Sequence, residues 1–447
     1  MREGLLRKAI NWTEARWDGV ASLRTFLGKP VPANVSWLHT LGSLLIVYLV
    51  FQAVTGVLLA FYYSPSPENA YKSVRYIQEE LTFGRLIHAL HRCGASFILV
   101  TAFLHFLRSY FMASWRSPRE LVWITGLVLG ILLTLFAFTG ALLPYDQKGY
   151  WATVVGINIA SGAPGAGDVV KDLLTGGFGG LGSVTLSRFF ILHVSVLPLI
   201  FAAAVVMHLK TLQKVGSAGP LSGVPGDRQP FFPRQAFKDV VMAGIGSLAL
   251  VLVSLLVTFT ETGPASSQAG SFVPRPEWYF MGHYELLRLL PPGLQMIGTF
   301  VLPNALLGLL FALPFISRGP DRRFSARKMS TILGAAAVTL LVALTVMGMA
   351  SVEEAPQDGE AMIDTGDPLG GGRELFHRKE CSNCHRIAGQ GGTDGPDLSH
   401  VGNRLRPDYL ESWIRNPRLI SSKTLMPAFE GSEPELRSVV TYLLSLK

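Results

Sequence analysis

Residues 91–105 read HRCGASFILVTAFLH, in which two histidines enclose a mostly apolar stretch. His91 and His105 are separated by close to four turns of an α-helix, so both lie on one helix face, about 21 Å apart along the axis. Two core histidines satisfied by hydrogen bonds are the simplest interpretation. If the helix crosses a membrane, however, each ionisable ring is a candidate functional group.

The composition favours a membrane protein. Of the 447 residues, 49% are hydrophobic and 16% are charged, and the mean hydropathy is +0.35, which is too apolar for an ordinary soluble domain. The formal net charge of +8 does not by itself indicate a nucleic-acid partner, because membrane proteins concentrate Lys and Arg in their cytoplasmic loops. We therefore predict a lipid bilayer as the surroundings and no nucleic acid as a partner.

Seven segments have the length and apolarity of a spanning helix. They are 38–62, 88–110, 121–143, 189–210, 240–260, 297–317 and 329–350. If the N-terminus is cytoplasmic, the segments on that side carry nineteen Lys and Arg residues and the outer loops carry seven. This asymmetry predicts a multi-pass protein of the bacterial inner membrane with a cytoplasmic N-terminus, and it places everything after residue 350 on the periplasmic face.

The remaining segments complete the predicted domain organisation. Residues 1–37 are amphipathic and basic, which is typical of an interfacial segment and not of a cleaved signal. The acidic, Gly- and Pro-rich segment 351–372 is predicted to be a linker. Residues 373–447 have the pattern of a small helical domain, with helices near 373–380, 407–416 and 433–446. A domain of this size has too small a hydrophobic core to be stable alone and needs an additional stabilising group such as a cofactor.

That domain contains the motif CSNCH at 381–385. C-x-x-C-H is typical of covalent c-type haem attachment, with Cys381 and Cys384 bound to the haem vinyl groups and His385 as an iron ligand. A redox dithiol would need a βαβ context, and a zinc site would need a second ligand pair. Neither is evident. With Cys93 as the only other cysteine, no disulfide framework is implied.

Met426, in TLMPAF, is the candidate for the sixth ligand, since a His/Met pair is one of the known solutions for such a haem. It is the only methionine after the motif. Filling of a core gap is the competing role for this side chain, and His377 and His400 are rival ligands. Through CSNCH, GPDL (395–398) and LMP (425–427), residues 373–447 resemble a class I monohaem cytochrome c.

The fourth span also carries two histidines at nearly four turns, His193 and His208. The second and fourth spans run in the same direction, so the four rings form two pairs at matched depths. A proton relay or interhelical hydrogen bonds would explain a single histidine. The two-by-two arrangement instead predicts two bis-histidine b-type haems, an outer one held by His91 and His193 and an inner one held by His105 and His208.

Two other spans repeat the same period in glycines. Gly42 and Gly56 lie fourteen residues apart on the first span, and Gly126 and Gly140 do so on the third. Small residues let a flat macrocycle approach the backbone, although glycines also serve simple helix packing. Basic residues near the histidines are candidates for binding haem propionates, with membrane anchoring as the alternative role. They are Arg85 and Arg92 at the outer haem and Arg108, Arg119 and Lys210 at the inner one.

The paired histidines and glycines, together with PREL (118–121) and LPYDQKGYWA (143–152), resemble the cytochrome b family of quinol–cytochrome c oxidoreductases over nearly all of residues 1–350. The fifteen-residue histidine spacing on the fourth span resembles the photosynthetic cytochrome bf type of this family. The three spans that follow the fourth resemble the subunit IV part of that type. The resemblance implies an all-α fold in which a seven-helix transmembrane dihaem bundle precedes the small cytochrome c domain. It divides the bundle into a haem-binding part, 38–239, and a part similar to subunit IV, 240–350.

PEWY, at 276–279, belongs in that family to the outer quinol-oxidation site. Quinol oxidation releases two protons, and a carboxylate at the membrane boundary can accept one. The resemblance therefore implies Glu277 as proton acceptor and Tyr279 as a residue that shapes the pocket. A salt bridge or loop cap is the alternative role for Glu277. The remaining quinol-site candidates are Pro276 and Trp278, together with Tyr145, Tyr150 and Trp151 from the loop 144–187. In this loop we expect short helices near 150–160 and 168–174.

The chain departs from the bf type at two positions. Thr40 stands where the bf type has the cysteine for an extra haem, so we expect no covalent haem there. His88 replaces an arginine three residues before His91, so the propionate contact differs, with Arg85 as a possible replacement. No role follows for Cys93 beyond packing.

The resemblance implies a bifurcated reaction. One electron from quinol goes through a separate Rieske iron–sulfur protein to the c haem, and the other goes through the two b haems to an inner quinone, so that the cycle is proton-motive. A homodimer and a downstream cytochrome or terminal oxidase are the further partners. Two alternatives remain, a dihaem anchor of another quinone-linked dehydrogenase and a transporter or channel with a c-type sensor domain.

Overall fold

The structure is a computed structural model, and it is mainly helical. The ranges it describes are 2–16, 18–33, 35–176, 181–219, 221, 227–259, 262–265, 275–319, 321–351, 368–379, 381–391, 395–421, 424, 426–429 and 431–447. The first fourteen helices are α1 (Arg2–Glu14), α2 (Gly19–Leu27), α3 (Leu41–Ala60), α4 (Ala70–Glu79), α5 (Gly84–Phe111), α6 (Glu120–Leu142), α7 (Gln147–Ser161), α8 (Gly167–Thr175), α9 (Ser183–Ile191), α10 (Leu197–Val215), α11 (Arg234–Leu256), α12 (Trp278–Leu289), α13 (Leu302–Ile316) and α14 (Lys328–Ala350).

Within the described ranges, seven helical segments are long and apolar enough to cross a membrane, which confirms the predicted number. They are Trp37–Ala60, Gly84–Phe111, Glu120–Leu142, Ser183–Val215, Arg234–Leu256, Ile297–Ile316 and Phe324–Ala350. The fourth is longer than the predicted 189–210 because α9 and α10 are continuous through one π-helical turn.

That π-helical turn, Leu192–Val196, ends two residues before Pro198, and a second one, Ile297–Val301, ends two residues before Pro303. Proline lacks an N–H, and its ring clashes with the carbonyl four residues earlier, so the helix widens locally. The wider turn accommodates one extra residue. The fifteen-residue spacing of His193 and His208 therefore brings both rings to one face, as fourteen residues do on α5.

The helices pack in pairs, α3 along α5 and α6 along α10, and α11 packs on the first pair. The contact among α3, α5 and α11 is formed by Leu44, Tyr48, Cys93, Ile98 and Leu250. Cys93 is thus a buried packing residue. Short strands join the N-terminal segment to the loop before α11: β1 (Pro30–Pro32) runs antiparallel to β2 (Arg228–Pro230), with Val31 opposite Gln229.

The loop after α6 contains the two predicted short helices, α7 and α8. Helix α7 begins after Asp146, whose carboxylate accepts a hydrogen bond of 2.8 Å from the Gly149 N–H. Leu142, Ile157 and Phe189 join this loop to α9 in one buried cluster.

The C-terminal domain is a separate helical unit with its own core. Its elements are α15 (Pro368–Arg378), α16 (Cys381–Cys384), β3 (Arg386–Ile387), β4 (Gln390–Gly391), α17 (Val401–Arg404), α18 (Pro407–Arg415), α19 (Pro417–Ile420) and α20 (Glu433–Ser445). Helix α15 packs on α20 and begins within the predicted linker, whose residues 352–367 lie outside the described ranges. Ser432 and Glu435 form a capping box at the start of α20.

Candidate functional site

The four membrane histidines lie on the two helices that face each other across the bundle. His91 on α5 and His193 in the π-helical turn have ring centroids 6.3 Å apart with an interplanar angle of 76°. His105 and His208 lie further along α5 and α10, beside Gly42 of α3 and Gly126 of α6 respectively. The structure therefore brings the predicted rings together as two pairs at different depths.

Each of these rings meets the bare backbone of one predicted glycine. A Cβ atom built on Gly56 would lie 3.1 Å from the Cε1 atom of His91, and one on Gly140 would lie 2.7 Å from that of His193. The corresponding distances are 3.4 Å from Gly42 to His105 and 3.5 Å from Gly126 to His208. The glycines of α3 thus face the histidines of α5, and those of α6 face the histidines on the fourth span. A side chain in place of Gly56 or Gly140 would crowd the imidazole, so the residues present fit a planar group held between these helices.

Three threonines that sequence reasoning missed support these rings. The Oγ1 atoms of Thr55, Thr125 and Thr139 lie 3.0, 2.9 and 3.0 Å from the Nδ1 atoms of His91, His208 and His193. Each threonine directly precedes its glycine, so the dipeptide Thr-Gly was the available signal. Each hydroxyl also lies within 2.8 Å of the carbonyl four residues earlier in its own helix.

At the outer end, the two predicted propionate partners differ in their surroundings. Arg92 places its guanidinium 4.3 Å from the centroid of the Phe259 ring and 3.9 Å from Glu277 Oε1. Arg85 is exposed on the first turn of α5. His88 lies beside Gln78, with its Nδ1 3.0 Å from the Gln78 Nε2 atom.

At the inner end, two of the predicted arginines hold one loop. Arg108 Nη2 donates to the Ala218 carbonyl at 3.0 Å, and Arg119 Nε donates to the Gly216 carbonyl at 3.0 Å. The Nε atom of Arg108 is buried and has no hydrogen-bond partner among the described residues. Lys210 is exposed. The roles of these three residues toward propionates stay predictions.

Glu277 forms an ion pair, the alternative role considered for it, with a partner that the sequence did not identify. Its Oε1 atom lies 2.9 Å from Lys148 Nζ, and both side chains are about 30% exposed. The next residue, Trp278, donates from Nε1 to Ser96 Oγ at 3.1 Å. Burial, followed by the neighbouring Glu277 carboxylate, raises the pKa of Tyr279 above its ordinary value, so this phenol stays protonated.

The loop residues near Glu277 are tied to the segment 262–265. The Gln147 N–H donates to the Gly263 carbonyl at 3.1 Å, and the Ala265 N–H donates to the Tyr145 carbonyl at 2.9 Å. Tyr145 is buried, donates its hydroxyl to the Leu181 carbonyl at 2.6 Å and packs edge-on against Tyr150. The backbone contacts thus hold the start of α7, where Lys148 lies, against the segment 262–265.

A cavity of about 310 Å³ separates α7 from α12. Its lining residues are Val155, Ile159, Tyr284, Leu287, Arg288, Gln295 and Thr299. The four PEWY residues lie outside this lining, at or before the first turn of α12. Glu285 is fully buried and accepts two hydrogen bonds, at 3.0 and 2.9 Å, from Arg288, which lines the cavity.

In the C-terminal domain, His385 follows the two cysteines of α16, and its Nδ1 lies 2.9 Å from the Pro396 carbonyl. A carbonyl can only accept, so Nδ1 carries the proton and Nε2 has its lone pair available for a metal. A Cβ on Gly395 would lie 2.5 Å from His385 Cε1. Met426 packs against the domain core, and its sulfur accepts a hydrogen bond of 3.2 Å from Trp413 Nε1. The side chain of His377 lies outside the described part, and His400 precedes α17.

Comparison with known families agrees with this geometry. Residues 26–216 match the model for cytochrome b/b6/petB, 273–358 match that for cytochrome b (C-terminal)/b6/petD, and 371–447 match that for cytochrome c. A cytochrome b from Mycosarcoma maydis is 38% identical over 296 residues, which cover 64% of this chain and 73% of that protein. The chain belongs to the cytochrome b family.

Two further similarities concern the assembly. A cytochrome b/c1 from Bradyrhizobium diazoefficiens is 32% identical over 337 residues, covering 72% of this chain and 48% of that protein. A chain of a solved hyperthermophilic respiratory complex III superposes with a TM-score of 0.69 at 28% identity, covering 77% of this chain and 92% of the other. This cytochrome b with its C-terminal cytochrome c domain is a multi-pass membrane subunit of a complex III-like quinol–cytochrome c oxidoreductase.

Proposed function

We propose that this cytochrome b/c chain oxidises a quinol at the outer membrane face and directs its two electrons along separate routes. One electron passes to a Rieske iron–sulfur protein and then to this chain's own cytochrome c domain, and the other crosses the membrane to a quinone near the inner face. Two b-type haems and one c-type haem supply the one-electron redox chemistry when bound. The observation that carries the proposal is the set of four imidazoles at two depths, each facing a glycine backbone.

The chain's own residues would hold these groups. His91 and His193 would bind the outer b haem through Nε2, and His105 and His208 the inner one. Cys381 and Cys384 would carry the c haem, with His385 and Met426 as its iron ligands. Thr40 is buried and its hydroxyl donates to the Trp37 carbonyl at 2.6 Å, and we expect no covalent haem there.

The experiment that tests this proposal is the haem stoichiometry of the purified chain, measured from the reduced absorption spectrum after extraction. Two b haems for each c haem support it. A c haem alone contradicts it and favours a transporter or channel with a sensor domain.

At the outer site, Glu277 would accept one of the two protons that the quinol releases. Lys148 and Arg92 approach its Oε1 atom and hold the carboxylate in place. Tyr279, which stays protonated, would shape the pocket. A Glu277 with a purely structural role would form the same ion pair. The variant Glu277→Gln distinguishes that role from the role of proton acceptor. We expect quinol-dependent reduction of b haem to fall at least about 100-fold with the haems retained, whereas an unchanged rate assigns Glu277 to structure alone.

The remaining partners follow from the same proposal. Only three cysteines are present, two of them in CSNCH, so the iron–sulfur cluster must belong to another subunit. We further propose a homodimer in a bacterial inner membrane, with the N-terminus cytoplasmic, the cytochrome c domain periplasmic and a cytochrome or terminal oxidase as acceptor. Release of protons outside and uptake inside would make the cycle proton-motive.

A further inference from the structure

The hydrogen bonds to the four membrane histidines are unequal between the two pairs. Both rings of the outer pair, His91 and His193, have a threonine at Nδ1. In the inner pair only His208 has one. Nδ1 of His105 is buried and has no hydrogen-bond partner among the described residues. The position that precedes Gly42, where a fourth threonine would stand, is Leu41.

The direction of these hydrogen bonds follows from the threonine geometry. Each hydroxyl has one hydrogen, and the carbonyl four residues earlier can only accept it. The threonine oxygen must therefore accept from the imidazole, so Nδ1 carries the proton and Nε2 is left for iron. At His105 no side chain among the described residues fixes this tautomer or accepts the Nδ1 proton.

Such hydrogen bonds also affect the metal. A hydrogen bond accepted from the Nδ1–H raises the basicity of the imidazole as an iron ligand. A more basic ligand favours the oxidised, more positive iron, which lowers the reduction potential. The outer pair has two such bonds and the inner pair has one.

We infer that Thr55, Thr125 and Thr139 are positioning residues that lower the reduction potentials of the two b haems, and that Leu41, which stands in place of a fourth threonine, leaves the inner haem without one of these contributions. The inference rests on the proposed bis-histidine ligation.

Redox titration of the b-haem absorption bands in the purified complex tests it. Thr55→Val and Thr139→Val should each raise the potential of one and the same b haem, and Thr125→Val should raise that of the other. We expect about a tenfold change in the redox equilibrium, which is about 59 mV for one electron. Leu41→Thr should lower the potential of the haem that Thr125→Val raises, whereas Leu41→Val should not.

Two controls separate tuning from packing. Thr134 on the same helix as Thr125 donates to its own backbone at Gly130 and is exposed, so Thr134→Val should leave both potentials unchanged. Thr55→Ser keeps a hydroxyl and should keep the parent potential. Equal shifts in Thr134→Val, or no shift in any of the three threonine-to-valine variants, overturn the inference. Absence of two b haems in the parent protein would instead overturn the proposed ligation.

Discussion

A Cβ atom on Gly140 would stand 2.7 Å from the Cε1 atom of His193, a separation that real Cβ contacts essentially never show. The same construction gives 3.5 Å at Gly126 and His208, which is ordinary van der Waals contact. The two glycines of α6 thus differ in how strictly the adjacent ring requires a bare backbone. The outer pair is the tighter of the two.

This difference predicts graded effects of adding one methyl group. Gly140→Ala should displace the His193 ring and reduce the bound outer haem to a minor fraction, whereas Gly126→Ala should retain most of the inner haem. The measurement is the amount of each b haem, resolved by redox titration of the purified protein. Gly130→Ala, where nothing lies within 4 Å of the added carbon, is the matched control and should keep both haems. Equal loss in all three variants would show that the effect lies in helix packing.

The contact between Lys148 and Glu277 predicts coupling between these two side chains. Lys148→Met should slow quinol-dependent b-haem reduction about two- to fivefold, the range expected for an ion pair that is partly exposed to solvent. In a Glu277→Gln background the same change should have almost no further effect, because the pair is already broken. Lys148→Arg should retain the rate, and Lys171→Met, on the neighbouring helix α8, should too. Additive losses in the double variant would place Lys148 outside this interaction.

The parts of the site that follow helix geometry could be predicted from the sequence. The fourteen-residue periods of His91/His105 and of Gly42/Gly56 place these residues on matching faces whatever the neighbouring helices do. The pairing of His91 with His193 needed only the direction of each span. Predicted and observed helices therefore differ mainly at their ends.

The contacts that depend on tertiary packing could not be predicted. A threonine in a membrane helix usually bonds its own backbone, and nothing local shows that Thr55 also meets a ring on α5. Lys148 and Glu277 are far apart in sequence and meet because residues 145–148 pair with 262–265. The π-helical turn before Pro198 could be inferred only once the four rings were known to converge.

Asp146 predicts a pH dependence of stability. Burial, opposed by the Gly149 N–H and the nearby Arg92 and Lys148, raises the pKa of this carboxyl above its ordinary value. A raised pKa means that the folded state binds the proton more tightly than the unfolded state does. The contribution of Asp146 to the free energy of unfolding is therefore full below the ordinary pKa and is lost as the pH rises through the raised pKa. Asp146→Asn, which can still cap α7, should flatten that decline in the thermal unfolding of the detergent-solubilised protein. Asp168→Asn, on the exposed face of α8, should leave the decline as it is; an equally steep decline in Asp146→Asn would assign it to other groups.

Met426 and Trp413 predict a change in the cytochrome c domain. Met426→Leu keeps the side-chain volume and removes the sulfur. The c-haem iron should therefore lose its sixth ligand, become largely high-spin and show a lower reduction potential. Trp413→Phe keeps an aromatic ring but removes the N–H that reaches the sulfur, so the iron should stay low-spin with a small shift in potential. Absorption spectroscopy and redox titration of the full chain distinguish these outcomes. If Met426→Leu stays low-spin at the parent potential, His400 or His377 is the ligand, and Met426 belongs to the core against which it packs.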